Sequence, residues 1–176
     1  NKYLNKYNFH SFIYSPLTIN DNLEKKNKNN IFFIKFKKIP FMFTKIFYAI
    51  NNILTLIKIS IYKPNIFHYS YYNNFFSRIV NKPSVLTVYD LIHEKLKSKN
   101  YKFYKNKLIK KVNKIICISN QTKKDLIKYY NVSANKISVI HLGINQKIIS
   151  SKKKNFILFV GHREGYKNFD NLIRAY

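Results

Sequence analysis

The sequence predicts an α/β fold in which helices cover both faces of a parallel sheet. Short runs rich in Ile, Val and Phe alternate with helical patterns along the chain. The clearest run, SVLTVY at residues 84–89, is apolar almost throughout, which is typical of a strand buried on both faces. Between such runs, apolar residues recur every four positions, as at Tyr104, Leu108 and Val112. This alternation favours a parallel sheet.

The predicted elements follow one another in a regular order. Strands are predicted at residues 9–14, 31–36, 66–68, 84–89, 115–118, 137–142 and 156–160. Helices are predicted at residues 18–28, 41–60 and 102–112, after Ser119, and from about Asn168. Ser119 is a suitable cap for a helix on which Thr122, Leu126 and Tyr130 share one face. Ligands bind at the carboxyl ends of parallel strands, so the loops after strands 66–68, 84–89, 115–118 and 156–160 are expected to carry the site.

A polar segment divides the chain into two predicted domains. Residues 144–154 end in two serines and three lysines and are predicted to form an interdomain linker. An N-terminal domain is then predicted at residues 1–143, and the first strand, loop and helix of a second domain at residues 155–176. The chain begins without Met at Asn1 and stops at Tyr176 inside a predicted helix, so both ends are expected to be truncated.

The charge is strongly positive. The 176 residues contain 33 Lys and Arg against 7 Asp and Glu, which gives a net charge of +26. A field of this strength attracts nucleic acid, anionic lipid headgroups or phosphorylated substrates. Part of the positive charge follows from a general abundance of Lys, Asn and Ile. A lysine-rich surface that is merely solvated is therefore as good an explanation as a binding surface for polyanions.

The longest apolar stretch, residues 41–62, contains Lys45, Asn51, Asn52 and Lys58. These polar groups are costly in hydrocarbon, so the stretch is not predicted to span a membrane. It is predicted to form an amphipathic helix whose apolar face either packs on the sheet or touches a membrane surface.

The single cysteine and the five histidines indicate neither a disulfide nor a metal site. Cys117 lies in the apolar run KIICIS and is predicted to be a small buried residue of a cytoplasmic protein. The histidines show no metal-ligand spacing. No metal and no other cofactor are expected.

The motif richest in chemistry is GHREGYKN at residues 161–168. Gly161 has no Cβ, so the backbone there can approach a ligand closely. Arg163 and Lys167 supply two cations, and Asn168 can cap the helix that follows. Together they could hold a diphosphate, although an ordinary basic strand–helix turn is equally compatible with this spacing.

Four segments, in order, resemble the family-four glycosyltransferases. Residues 156–176 resemble the opening of the donor-binding domain, written FVG-x-R-x-x-x-KN-x-x-x-LI-x-A. TVYDLI at 87–92 resembles the family's TVHDL, and IICISNQTKKDL at 115–126 resembles I-x-VS-x-x-TK-x-DL. KISVIHLGI at 136–144 resembles KI-x-VI-x-x-GI. The resemblance covers about residues 66–176, whereas residues 1–65 match only in their strand–helix alternation.

The resemblance implies a GT-B type fold of two Rossmann-like domains, with donor and acceptor meeting between them. It implies transfer of a sugar, with retention, from a nucleotide-sugar donor to a glycan or lipid-linked acceptor, without a metal. Gly161, Arg163 and Lys167 would hold the donor diphosphate. His68, Tyr89 and Asp90 are candidates for the acceptor side, and Ser119 for a helix N-terminus near the cleft.

Several of these candidates have a structural alternative. His68 could equally be a loop histidine, and a capping role is preferred for Asp90. His93 and Glu94 are predicted to be ordinary loop residues. Tyr89 stands where the family often has His, and Asn145 where it often has an acid.

The family's Gly-rich loop and its paired glutamates have no counterpart in the chain. No catalytic residue is therefore assigned, and the fragment alone is expected to be inactive. Two further functions stay open: a basic nucleic-acid-binding protein and a non-catalytic remnant of a glycosyltransferase gene. Nucleic acid is not the expected partner, because the aromatic residues lie within apolar runs and are expected in the core. The protein is expected in the cytoplasm, with possible peripheral contact at the inner face of the cell membrane.

Overall fold

The computed structural model describes residues 7, 9–18, 31–37, 39–96, 99–143, 155–161 and 163–176. The chain divides into two compact units, Asn1–Leu142 and Gly143–Tyr176. The predicted linker at 144–154 lies outside the described residues. So does the predicted helix at 18–28, except for Thr18, which is the last residue of a strand.

The first unit alternates strands and helices as the sequence predicts. Its elements in chain order are β1 (Ile13–Thr18), β2 (Ile31–Lys35), α1 (Thr44–Tyr62), β3 (Phe67–Tyr69), α2 (Asn74–Ile79), β4 (Ser84–Val88), α3 (Ile92–Lys95), α4 (Lys99–Lys111), β5 (Lys114–Cys117), α5 (Asn120–Tyr130) and β6 (Ile137–Val139). Short 3-10 turns precede α1 and β6, at Phe41–Phe43 and Ala134–Lys136. The second unit contains a 3-10 turn at Gly165–Lys167 and α6 (Phe169–Ala175).

The described strands form two parallel sheets. Four of them form one sheet in the order β3-β4-β5-β6, and β1 pairs with β2 in the other. In β4, the consecutive residues Leu86, Thr87 and Val88 are all buried, so both faces of the sheet are covered at its centre. The predicted α/β class with a parallel sheet is confirmed.

The core lies around the two central strands. Leu86 and Val88 of β4 and Ile115 and Cys117 of β5 are completely buried. Helix residues close over them; those that are also completely buried are Leu108, Ile109 and Leu126. The predicted burial of Cys117 is confirmed, and this burial raises the pKa of its thiol to about 11. A thiol of that pKa is a poor nucleophile at neutral pH, which agrees with a packing role.

Helix α5 shows how closely local sequence signals fix an element. The Ser119 side chain accepts a hydrogen bond from the Thr122 amide at 3.1 Å, so the predicted N-cap is confirmed. The helix ends at Asn131, whose left-handed backbone conformation is one that Asn tolerates well. Thr122, Leu126 and Tyr130, the predicted inner face, are all buried.

The prediction for β1 is displaced along the chain. Residues 9–12 are not in a strand, and β1 runs instead through Pro16 to Thr18. The register with β2 shifts between Tyr14 and Leu17. Proline has no amide to donate to a ladder, and an irregularity at this point accommodates it. The predicted strand ended at residue 14, before Pro16, whereas the observed strand continues through this proline because the register shift accommodates it.

The predicted strand at 156–160 is wrong for the second unit. Residues 156–160 form no strand, and among the described residues of this unit no segment pairs with them. A strand is defined by its ladder partner, so an apolar run alone does not produce one. Asn168 does occupy the N-cap position of α6, but its side chain makes no capping hydrogen bond.

Helix α1 was expected to pack its apolar face on the sheet or to present it to a membrane surface, and the structure divides its apolar residues between an inward and an outward side. The inward side carries both apolar and polar residues. Leu56 and Ile59 pack against the core, and the Asn51 side chain accepts a hydrogen bond from the Leu17 amide of β1 at 3.0 Å. Thr55, one turn further on, is the buried residue of the helix. Large apolar residues on the other face are exposed, so that face does not pack on the sheet.

The stretch that contains α1 has the length and hydropathy of a membrane-spanning helix, although its polar residues led us to expect otherwise. Within the described residues, one stretch, Phe41–Tyr62, is long and apolar enough to cross a membrane by length and composition alone. Core helices of soluble proteins can pass the same test. Here only 6% of the apolar window is buried, although Leu56 and Ile59 of α1 are half-buried against the core.

The expectation that aromatic residues lie in the core is wrong for much of the chain. Tyr69, Phe76 and Tyr130 are buried. Many others are exposed, among them Phe9, Phe12, Phe36, Phe41, Phe43, Tyr48 and Tyr62. These exposed rings concentrate in the segment that contains β1, β2 and α1, away from the four-stranded core.

Candidate functional site

The candidate site of the first unit lies at the carboxyl edge of the four-stranded sheet. Because all four strands are parallel, the residues that follow them meet at one edge. Backbone hydrogen bonds continue the ladder just past the strands, from the Ile118 amide to Val88 and from the Ile140 amide to Cys117. Tyr89, Ser119 and His141 follow β4, β5 and β6 at this edge.

His68 does not end its strand but is the central residue of β3. Its Nε2 lies 2.8 Å from the hydroxyl oxygen of Thr87, one residue before the end of β4. Partial burial lowers the pKa of the imidazole below its ordinary value of 6.5, so the ring is neutral at pH 7. A neutral imidazole near the sheet edge can donate or accept a hydrogen bond.

The lowered pKa of His68 predicts a loss of stability in acid. Above about pH 8 the ring is neutral in both states and contributes no pH dependence. As the pH falls through 6.5, the unfolded chain binds a proton that the folded protein resists, so the free energy of unfolding decreases. The decrease levels off below the folded pKa. We expect His68→Asn to show a smaller acid-induced loss than the parent in denaturant titrations.

Proton NMR of the parent measures the same quantity directly. The titration midpoint of the His68 ring should lie below 6.5. A midpoint at or above that value would contradict the partial burial of the ring.

Tyr89 and Asp90 follow β4 and are held mainly through their backbone and capping contacts. The Tyr89 carbonyl accepts a hydrogen bond from the Thr122 hydroxyl at 3.2 Å, which ties this loop to the first turn of α5. The Tyr89 side chain is exposed. The Asp90 carboxylate accepts a hydrogen bond from the Ile92 amide at 3.3 Å, where α3 begins. This contact favours the structural role that the sequence preferred for Asp90, although the N-cap position of α3 itself is occupied by Leu91.

His141 is a further candidate, which was not predicted from the sequence. It follows β6, and its Nδ1 lies 3.0 Å from the Ile118 carbonyl oxygen. A carbonyl can only accept, so Nδ1 carries the proton, and a neutral ring then keeps the lone pair on Nε2. The ring is exposed at the edge that also carries Tyr89 and Ser119. The predicted strand at 137–142 included His141, whereas β6 ends at Val139, so no signal in the sequence indicated that the ring lies beyond the strand.

Glu94 is the second residue whose importance the sequence missed. The sequence assigned Glu94 and His93 to a loop, but both lie in α3, and Glu94 is buried. Its carboxylate pairs with the Lys105 ammonium of α4 at 3.0 Å and accepts a short hydrogen bond from the Tyr130 hydroxyl of α5. One carboxylate therefore holds three helices together.

The surroundings of Glu94 extend this network to the loop after β3. The Lys105 ammonium lies 4.8 Å from the centre of the Tyr72 ring. Burial, and then the hydrogen bond to Glu94, raises the pKa of Tyr130, and burial raises the pKa of Tyr72. Both phenols are therefore neutral at physiological pH. Beside the network, Lys95 pairs with Asp125 at 2.8 Å, which fastens α3 to α5 a second time.

A surface cavity of about 300 Å³ lies at the other end of the sheet. It is lined by residues at the start of β4 and β5, among them Lys82, Ser84 and Asn113. None of the candidate residues line it. The described residues contain no group of three or more His, Cys, Asp or Glu that could hold a metal ion.

In the second unit, three candidate residues meet at one turn. Gly161 has φ of 144°, a conformation that side-chain-bearing residues rarely adopt. The Lys167 side chain runs alongside it, with carbons 3.7 Å from where a Cβ of residue 161 would lie. The Arg163 guanidinium stacks 5.1 Å from the centre of the Phe169 ring. Both cations are exposed, and His162 lies outside the described residues.

The first unit is a Rossmann-like α/β domain of the GT-B type: a parallel four-stranded sheet, helices over it and polar residues at its carboxyl edge. Residues 4–147 match the family model described as Glycosyltransferase Family 4, and the chain belongs to that family. The match begins far upstream of the recognisable motifs and so includes β1, β2 and α1. It ends before residues 155–176, where the likeness rests on the motif alone. No curated protein matches the chain with significance.

Proposed function

We propose that the protein is a retaining glycosyltransferase that moves a sugar from a nucleotide-sugar donor to a glycan or lipid-linked acceptor. The observation that carries this proposal is the match to Glycosyltransferase Family 4, which extends over the whole four-stranded sheet. A cell-envelope glycan is the acceptor class that fits a basic protein with an exposed apolar helix.

The acceptor would bind at the carboxyl edge of the sheet. Hydroxyl groups of sugars need both donors and acceptors, and this edge presents a neutral imidazole at His68, a phenol at Tyr89 and an imidazole at His141. The phenol of Tyr89 can both donate and accept a hydrogen bond, which suits it to hold a sugar hydroxyl.

The donor diphosphate would bind at the turn that contains Gly161, Arg163 and Lys167. Glycine leaves room for the phosphate beside the backbone, and the guanidinium can grip it with two parallel hydrogen bonds. The Phe169 ring at 5.1 Å restricts the motion of the Arg163 side chain, which reduces the entropy lost on binding. Two cations that stabilise the charge on the departing diphosphate would lower the barrier without a metal ion.

The test is a transfer assay with the product of the complete reading frame. The protein is incubated with a panel of nucleotide sugars and with glycan or lipid-linked acceptors, and release of the nucleoside diphosphate is followed. We expect release that depends on the acceptor. Proton NMR of the product then reports whether the anomeric configuration is retained.

Two outcomes would overturn the proposal. A folded protein that neither binds nor turns over any nucleotide sugar of the panel is a non-catalytic remnant of the family. A product of inverted configuration would refute retention, although sugar transfer would stand.

A further inference from the structure

The outward face of α1 carries a continuous apolar surface. Five isoleucines, spaced by three or four positions, share one side of the helix; this isoleucine stripe consists of Ile46, Ile50, Ile53, Ile57 and Ile61. Each of them is at least 44% exposed. At the N-terminal end the surface continues into the 3-10 turn, where Phe41 and Met42 are 93% and 79% exposed. Apolar patches of this extent mark contact sites.

The opposite face of α1 is attached to the protein, which fixes the direction of the stripe. Asn51 accepts a hydrogen bond from the Leu17 amide, and Asn52 accepts one from the Asn73 side chain at 3.4 Å. At 100° per residue, Asn51 and Thr55 lie opposite the centre of the stripe. A helix held along its side in this way presents its stripe sideways, a geometry that suits lying on a bilayer better than crossing it.

The charge around the stripe selects the partner. Residues 25–89 contain eleven Lys and Arg and no Asp or Glu. Lys45 and Lys58 lie on either side of the stripe, so their ammonium groups can reach phosphates while the isoleucines meet hydrocarbon. An anionic bilayer surface offers both environments at once.

Two other partners fit the same surface less well. A second copy of the chain would bring an equal excess of positive charge to the contact, because each copy carries +26. Single-stranded nucleic acid uses cations and flat aromatic rings; Phe41 and Phe43 could supply rings at the N-terminal turn, but the five isoleucines that form most of the surface offer no face on which a base can stack.

We propose that α1 lies in the plane of an anionic phospholipid bilayer, with the isoleucine stripe and the Phe41–Phe43 turn inserted below the headgroups. An apolar cleft continues this surface from Ile53 across to Phe75 of α2, with Lys45 at its side. The inference does not depend on the proposed transferase activity, since it rests on the first unit's surface alone.

Vesicle flotation of the full chain tests the contact. The vesicles consist of phosphatidylcholine, either alone or with about one third phosphatidylglycerol. The parent should float with the anionic vesicles and much less with the neutral ones. The variant Ile53→Glu with Ile57→Glu should bind the anionic vesicles at least about tenfold more weakly, because two charges are placed in the apolar face.

Ile140→Glu is the matched control. Ile140 and Ile53 are both 54% exposed, but Ile140 follows β6, the outermost strand on the side of the sheet opposite β3. Its binding should stay within about twofold of the parent. Equal binding of the stripe variant and the control would overturn the proposal, and so would equal binding of the parent to neutral and anionic vesicles.

The absence of tryptophan from the sequence allows a second measurement that needs no destabilising change. Met42→Trp places a single indole at the exposed turn, and Ile140→Trp serves as its control. Brominated acyl chains should quench the first and leave the second unchanged. No quenching of Met42→Trp would overturn the insertion. Two other results would also overturn the proposal: self-association through the stripe, measured by sedimentation, or binding of RNA in preference to vesicles.

Discussion

Glu94→Ala should lower the free energy of unfolding by about 3–5 kcal/mol, a large share of the stability of an ordinary domain. The substitution leaves the buried ammonium of Lys105 without its carboxylate and removes the acceptor of the Tyr130 hydroxyl. It also disconnects α3 from α4 and α5. Urea unfolding followed by circular dichroism measures the loss.

The design includes a compensated variant and a matched control. Replacing both members of the pair, Glu94→Leu with Lys105→Met, should restore most of the stability, because no buried charge is left uncompensated. Glu164→Ala removes an exposed carboxylate in the second unit and should change the stability by less than about 0.5 kcal/mol. A loss below about 1 kcal/mol for Glu94→Ala would show that the network does not hold the helices together.

Arg163→Ala should lower the turnover of the complete protein by about 100–1,000-fold while leaving its folding intact. The side chain is exposed, and within the part of the chain that the structure describes it stacks on the Phe169 ring, so little stability depends on it. If it stabilises the departing diphosphate, its loss acts on the transition state, and kcat should decrease more than KM increases. Steady-state kinetics with the active nucleotide sugar measures both constants.

Two further variants separate binding geometry from charge. Arg163→Lys keeps the charge but loses the planar fork, so it should recover only part of the turnover. Arg174→Ala removes a second exposed arginine, on α6, and should stay within about twofold of the parent. Turnover of Arg163→Ala equal to that of the Arg174→Ala control would remove Arg163 from the donor site.

The sequence was sufficient for the four-stranded sheet, because the signals there are local. β4 begins after Pro83 and contains only small, apolar or β-branched residues, and α5 begins at a serine cap. The structure places β4 and β5 within one residue of their predicted ends, and α5 begins directly after its predicted cap. Family membership followed from segments in this same region and is confirmed by a match that extends beyond them.

The network around Glu94 could not be predicted, because its partners are distant in sequence. Lys105 lies 11 positions away and Tyr130 lies 36 positions away. A carboxylate is expected at the surface unless a cation is known to accompany it into the interior. The segment that follows β4 also contains no helical periodicity, since α3 is only four residues long.

The orientation of α1 was unpredictable for a different reason. Periodicity identifies the apolar face of a helix, but it does not say which face the protein buries. Here the backbone amide of Leu17 needs an acceptor, and the side chain of Asn51 supplies it. That hydrogen bond, together with the packing of Leu56 and Ile59 against the core, directs the isoleucine stripe outward.

The order of strands in the main sheet has a consequence for how the chain acquires its fold during synthesis. β3, β4, β5 and β6 are neighbours in space in the same order in which the ribosome delivers them. Each new strand therefore finds its pairing edge already present, and no strand has to wait for a segment translated much later. The sheet can grow by one strand at a time as the nascent chain emerges, which keeps the sequence separation of its contacts short and limits the exposure of unpaired edges.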